Sequence, residues 1–262
     1  MSILRKLPKL PDTDLRGVVL PLAFLALWYG LTALQLVNTK LIVPPGAVVA
    51  AAWQVIGSGQ LLAGLQASLA RDLAGFVAGS GAGILFGLLL GVSPWARRLA
   101  GPTFHTLKQI SLFAWLPLLS TWLGTGDAAK ILFIALSAFY PVALNTFEGV
   151  RGVTQAQLEV AHVLGFSRRQ RAWRLVLPAA APQIAIGLHL ALLYAWLATI
   201  GAEYLLGSSG HGIGSVVIRG KAAFNVELII VGMLLIGVVG MALNRAASLV
   251  EARLLHWRGP GR

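Results

Sequence analysis

The sequence predicts an all-α membrane protein with six transmembrane helices and both termini on the cytoplasmic side. Three observations point there. Hydrophobic residues make up 57% of the 262 residues and charged residues only 11%, against about a quarter charged in soluble domains. Six apolar runs reach the roughly 20 residues that a helix needs to cross a bilayer. The basic residues between those runs are dense on one side and sparse on the other, as the positive-inside rule requires.

The first ten residues are basic and lack an apolar core with a small-residue cleavage site. The first apolar run, 17–36, therefore reads as a retained span and not as a signal peptide. Residues 37–71 form a long outer segment. It opens with Pro44-Pro45-Gly46 and continues through 48–56 as an interfacial helix with Trp53 at headgroup depth. The second span, 73–92, carries Gly75, Gly79, Gly83, Gly87 and Gly91 at intervals of four. Small residues so spaced form one stripe on which another helix can approach closely. Glycine is common in membrane helices, but strict register argues for packing. The third span is 103–123 with Pro117 inside, the fourth 128–147 with Pro141, the fifth 178–202 with Pro182, and the sixth 228–250. Interior prolines are tolerated where neighbouring helices satisfy the freed carbonyls, so these three predict kinks and not ends. The organisation expected is a tail, first span and interfacial segment over 1–61, a transmembrane domain over 62–250, and a basic tail over 251–262.

With the N-terminus inside, fifteen of the 21 Lys and Arg residues fall on inner segments and five on outer ones, with Lys108 inside a span. An odd span count would separate the basic loop around Arg168 from the basic C-terminus. The charge of +12 is scattered among apolar runs with no basic domain standing apart, which argues against a nucleic-acid partner. Cysteine is absent, so no disulfide, thiolate metal site or cysteine nucleophile can form. No phosphate-binding Gly-x-x-x-x-Gly-Lys-Ser/Thr loop, His-Glu-x-x-His or Gly-x-Ser-x-Gly occurs, so no catalytic residue, metal ligand or cofactor site is expected.

The inner loop 150–176 is the longest polar stretch on the inside. Thr154-x-x-Gln157 reads as a capping box opening a helix to about Leu164. Gly165 follows where a left-handed turn would end it. Ser167-x-x-Gln170 reads as a second box, opening a helix with Arg168, Arg169, Arg171 and Arg174. Two short helices meeting at Gly165-Phe166-Ser167 make a knob that fits a partner's cleft. Basic inner loops commonly do no more than set topology, but a capped helix-turn-helix with Phe166 at its tip argues for docking.

Polar residues within the spans are candidates for a translocation path or gate, because such groups face the bundle or a water-filled cavity. Lys108 sits about five residues into its span and could instead snorkel inward. Asn145 lies in the fourth span. His189 is about eleven residues into the fifth span and either bridges helices or meets cargo. Glu203 precedes a glycine-serine loop and either anchors it or serves an outer gate. Cationic or donor groups at Lys108 and His189 would suit an anion.

The segment Glu159-Val160-Ala161, then Gly165, then Leu175-x-Leu177-Pro178 resembles the signature loop of the permease subunits of binding-protein-dependent ABC importers, where the order is Glu-Ala-Ala, Gly, Ile-x-Leu-Pro. Further similarity to the aliphatic sulfonate, taurine and nitrate subgroup lies in residues 115–124, in Lys130-Ile131, Tyr140-Pro141, Asn145-Thr146 and Gly149-Val150-Arg151, and in Glu203 with Ser208-Ser209-Gly210-x-Gly212-Ile213-Gly214. Gln109 and Ser111 replace prolines of the subgroup, and His189 replaces an Arg. The resemblance implies a type I importer permease fold in a bacterial cytoplasmic (inner) membrane, with Glu159, Ala161, Gly165, Phe166, Ser167, Leu177 and Pro178 coupling to an ATPase. It also implies a homodimer, two ATPase subunits and a periplasmic or lipid-anchored solute-binding protein, with the chain itself not an enzyme. The cargo expected is a sulfonate- or taurine-like anion; nitrate, bicarbonate or another small nutrient is the alternative. An ATP-independent secondary transporter is a more distant reading, because its usual internal repeats with broken helices are not evident, and an integral-membrane enzyme more distant still.

Overall fold

The computed structural model describes residues 16–207 and 212–254, and they are helical nearly throughout. The helices are α1 (Arg16–Ala33), α2 (Pro45–Gly57), α3 (Gln60–Val92), α4 (Pro94–Leu107), α5 (Leu116–Leu123), α6 (Asp127–Arg151), α7 (Gln155–Val163), α8 (Arg168–Arg171), α9 (Leu177–Leu205), α10 (Gly214–Ala222) and α11 (Val226–Leu254). A 3-10 turn, Leu112–Trp115, precedes α5, and a π turn, Ala172–Val176, precedes α9. Among the described residues four helices, α3, α6, α9 and α11, are long and apolar enough to cross a membrane.

The centre is a layer of α3, α6 and α9. The glycine stripe of α3 lies on α6. A Cβ added at Gly75 would fall 2.5 Å from the Ile134 side chain, one at Gly79 2.1 Å from the Ala135 carbonyl oxygen, and one at Gly87 2.5 Å from that of Ala143. Gly83 abuts Phe139 and Val142, and Gly91 abuts Val150. Both series ascend, so α3 and α6 run parallel. Gly187 of α9 sits on Asn145 and Pro141, and Gly149 of α6 on Gln183 and Ala180, so α9 runs antiparallel to α6. Trp196 of α9 donates from Nε1 to the Ile236 carbonyl of α11 at 3.2 Å, and Gly240 packs on the same indole. In the antiparallel sense this fits His189 meeting Glu251. α2 packs against α11 and α1 through Val48, Val231 and Trp28, with the Trp28 Nε1 donating to the Val43 carbonyl. Trp53 stays exposed.

Two sequence expectations are corrected. The second span does not begin near residue 73: α3 starts at Gln60, so Arg71, counted above as an outer-segment charge, lies inside a helix. The third span, 103–123, is not one kinked helix. It divides into α4, a non-helical stretch at 108–111, the 3-10 turn and α5. Pro117 stands in the first turn of α5, where its missing N–H and preset φ cost nothing, so it opens a helix where a kink was expected. Pro141 and Pro182 do lie within continuous helices.

Candidate functional site

The knob between α6 and α9 is built from local rules. The Thr154 hydroxyl accepts from the Gln157 N–H at 3.3 Å and the Gln157 side chain accepts from the Thr154 N–H at 2.9 Å, a closed capping box. At the far end of α7 the Phe166 N–H donates to the Ala161 carbonyl and the Gly165 N–H to that of His162. This is the pattern of a Schellman cap, and Gly165 has φ +67°, in the left-handed region. The second box closes too, with the Ser167 N–H donating to Gln170 at 2.8 Å and the Gln170 N–H to Ser167 at 3.2 Å. Pro178 then opens α9. Its ring would press on the carbonyl four residues back. The π turn ahead of it, closed by the Leu177 N–H on the Ala172 carbonyl, widens the helix at that point.

The knob exposes an apolar patch among its polar residues. Val160 is 59% exposed, Val163 86% and Leu164 64%, while Ala161 is buried. Phe166 is half-buried and Leu177 likewise, while Glu159, Ser167 and Pro178 are exposed. Glu159 makes no ion pair or hydrogen bond with its side chain among the described residues. Aliphatic side chains presented beside such a carboxylate are the composition of an interface core with a polar rim.

At the end of the bundle away from the knob Glu203 is 3% exposed. Its Oε1 accepts from the Ser68 hydroxyl at 2.6 Å and from Arg71 Nη1 at 2.9 Å, and its Oε2 from the Gly214 N–H at 2.9 Å. Arg71 also donates from Nε to Asp127 at 2.8 Å, and the Ser68 hydroxyl accepts from the Ile213 N–H at 2.9 Å. One carboxylate thereby ties α3 and α9 to the chain entering α10, with α6 joined through Arg71. Gly212 and Gly214 press directly on that carboxylate. Ser208, Ser209 and Gly210 lie outside the described residues. Sequence reasoning placed Glu203 at this end but missed Arg71 and Ser68. The usable signal was Glu203 itself, since a carboxylate in an apolar span needs a cation and donors. At the same end Lys221 donates to the Tyr204 hydroxyl at 2.9 Å, a bond that holds its ammonium above the usual lysine range.

The other polar candidates do not converge. His189 Nδ1 lies 2.9 Å from Glu251 Oε2 and its Nε2 2.8 Å from Asn244 Oδ1, so it joins α9 to α11. His189 and Glu251 edge an apolar cavity of about 360 Å³ that includes Leu73, Phe76, Leu188 and Val250. Asn145 donates to the Pro141 carbonyl at 2.8 Å and accepts from Gln183 at 3.3 Å. Lys108 is not five residues into a helix but follows the last turn of α4.

The family model of the binding-protein-dependent transport system inner membrane component matches residues 79–256. A permease of Bacillus subtilis named for aliphatic sulfonate transport is 36% identical over 244 residues, 93% of this chain and 88% of the relative. The taurine transport system permease protein of Escherichia coli is 30% identical over 240 residues, 90% of this chain and 86% of the relative. The nitrate import permease protein of a Synechocystis species is 33% identical over 186 residues, 71% and 67% of the two chains. The fold is similar to the MetNI methionine ABC transporter in inward-facing conformations, with a TM-score of 0.62 at 17% identity over 72% of this chain and 94% of that one. An amino acid ABC transporter gives a TM-score of 0.64 at 17% identity over 76% and 96%.

Proposed function

Because the chain belongs to the inner membrane components of binding-protein-dependent transport systems, we propose that it forms the path for a small organic anion, sulfonate- or taurine-like. As a permease subunit of an ABC importer it is a multi-pass inner membrane protein and leaves ATP hydrolysis to a separate subunit. Two copies of the chain, two ATPase subunits and one solute-binding protein make the working assembly in this reading. The coupling loop 150–176 docks each copy onto an ATPase.

The observation that carries the docking role is the exposed apolar patch at the end of α7, Val160, Val163 and the C-cap Leu164 beside Glu159. Rigid capping at both ends holds it in one shape. Glu159 meets a basic group of the ATPase, since no described residue of its own chain neutralises it. The Glu203–Arg71–Ser68 network holds the outer ends of α3 and α9 together and serves the outer gate. His189 bridges helices. The relatives named for sulfonate, taurine and nitrate support an anionic cargo.

The test is uptake into proteoliposomes holding the chain with its ATPase and solute-binding protein. Labelled taurine and ethanesulfonate accumulate only with ATP on the ATPase side, and nitrate competes weakly. Accumulation of nitrate in preference to both sulfonates overturns the cargo. Accumulation without ATP overturns the importer reading and favours a secondary transporter.

A further inference from the structure

Residues 108–111 form a break in the wall of the bundle whose depth is fixed by neighbouring rings. The Phe104 ring, one turn before the break, lies 6.2 Å from Phe139 and 5.9 Å from Tyr140. The Phe113 ring, just after it, lies 5.8 Å from Phe133. Phe133 and Phe139 are the seventh and thirteenth of the 25 residues of α6. At 1.5 Å per residue the break sits about 9–18 Å below the outer end of that span. With the 25 residues of α6 reaching about 37 Å, the break lies within the membrane-spanning length, between a quarter and a half of the way along it.

The break is polar. Lys108 is half-buried, and Gln109 and Ser111 are exposed. The Lys108 ammonium makes no ion pair, hydrogen bond or ring contact among the described residues, unlike Arg71, which meets both Glu203 and Asp127. The Gln109 and Ser111 side chains also have no partner there, and the Ser111 N–H donates to no described residue. Hydrocarbon cannot solvate such groups: irregular backbone at membrane depth persists only inside protein or along a water-filled cavity. Among the described residues nothing encloses Gln109 or Ser111. An unneutralised cation at mid-depth needs water or an anion. A lysine stem is too short to carry the charge to either surface from there.

We propose that 108–111 lines the aqueous cargo path, with Lys108 as counter-charge to the anionic group of the cargo and Gln109, Ser111 and the Ser111 N–H as donors. This rests on the permease reading above and adds the place where its cargo is recognised. A sulfonate offers three acceptor oxygens to these donors, and a broken helix at mid-depth brings side chain and backbone to one point.

The chain has no cysteine, so Gln109→Cys and Ser111→Cys are single labelling sites. In the complex in membrane vesicles both react with water-soluble methanethiosulfonates, and excess ethanesulfonate protects them. Leu85→Cys, on the exposed apolar face of α3, stays unlabelled. Lys108→Gln, added to either variant, lowers the rate ratio of the anionic sulfonatoethyl reagent to the cationic trimethylammonioethyl reagent by about tenfold, the scale of charge focusing in a cleft. No labelling at 109 and 111, an unchanged ratio, or a spontaneous disulfide between two copies at either position overturns the proposal. The last outcome makes the break a contact between copies. Any of these with ATP-driven sulfonate uptake intact leaves the permease reading standing; ATP-independent uptake with positive labelling removes the importer reading alone.

Discussion

Replacing Glu203 by Ala should unlock the outer end of the bundle. The change deletes an acceptor used three times, by Ser68, Arg71 and the Gly214 N–H. It takes from the Arg71 guanidinium, whose side chain is 8% exposed, its buried carboxylate partner, while the Asp127 carboxylate it also meets is mostly exposed. Removing one partner of a buried pair typically costs about 3–5 kcal/mol, because the other charge stays buried. For a chain of this size each kcal/mol shifts the melting temperature by roughly 2–4 °C, so the expected drop is roughly 6–20 °C. Glu203→Gln keeps the shape but must turn its amide N–H toward either the Gly214 N–H or Arg71. One donor is then unsatisfied, at about 1–3 kcal/mol. The double variant Arg71→Met with Glu203→Met removes both charges and should recover most of the loss, since apolar replacement of a buried pair is often neutral. The assay is thermal unfolding of purified protein in one detergent at fixed concentration. A melting temperature for Glu203→Ala within about 2 °C of wild type, less than 1 kcal/mol on this scale, would refute the reasoning. So would a double variant less stable than either single one.

Gly79→Ala should cost about 1–3 kcal/mol, because its Cβ would meet the Ala135 carbonyl oxygen at 2.1 Å and backbone must move. Gly81→Ala two residues away meets nothing within 4 Å and should be neutral or stabilising by up to about 1 kcal/mol; thermal unfolding of the pair checks both. Gly165→Val should insert normally yet retain less ATPase on co-purification, because a branched residue resists φ +67°. Normal retention would count against a docking turn. His189→Leu should lower the melting temperature by cutting the link to Glu251 and Asn244, and His189→Arg should do so less. A drop in transport at unchanged melting would instead put this residue on the cargo path.

Features set by near neighbours in the chain were legible. The two capping boxes and the turn at Gly165 need only residues three or four apart, and they closed as drawn. The glycine stripe gave the face of α3 but not its partner, since spacing says nothing of which helix approaches. The early start of α3 was hidden because Gln66, Ser68, Arg71 and Asp72 read as loop. Arg71 and Asp72 are satisfied by Glu203 and Thr199, 132 and 127 residues away, so hydropathy alone cannot tell them from solvated residues. The break at 108–111 was hidden by the opposite fault. Its flanks are apolar on both sides, and a proline in an apolar run fits a kink as well as a helix start. The helix-bridging role of His189 depends on Asn244 and Glu251 arriving from α11, which no local pattern encodes.

The central claim is that force passes between this chain and an ATPase through the capped knob at α7. It is tested most directly by ATP hydrolysis in the reconstituted complex, stimulated by cargo-loaded solute-binding protein, in wild type and Glu159→Ala. Loss of one partner from a desolvated interfacial charge pair costs about 2–5 kcal/mol, so the variant should lose most of the stimulation while its melting temperature, with an exposed carboxylate removed, stays unchanged. Full stimulation in Glu159→Ala would contradict the account.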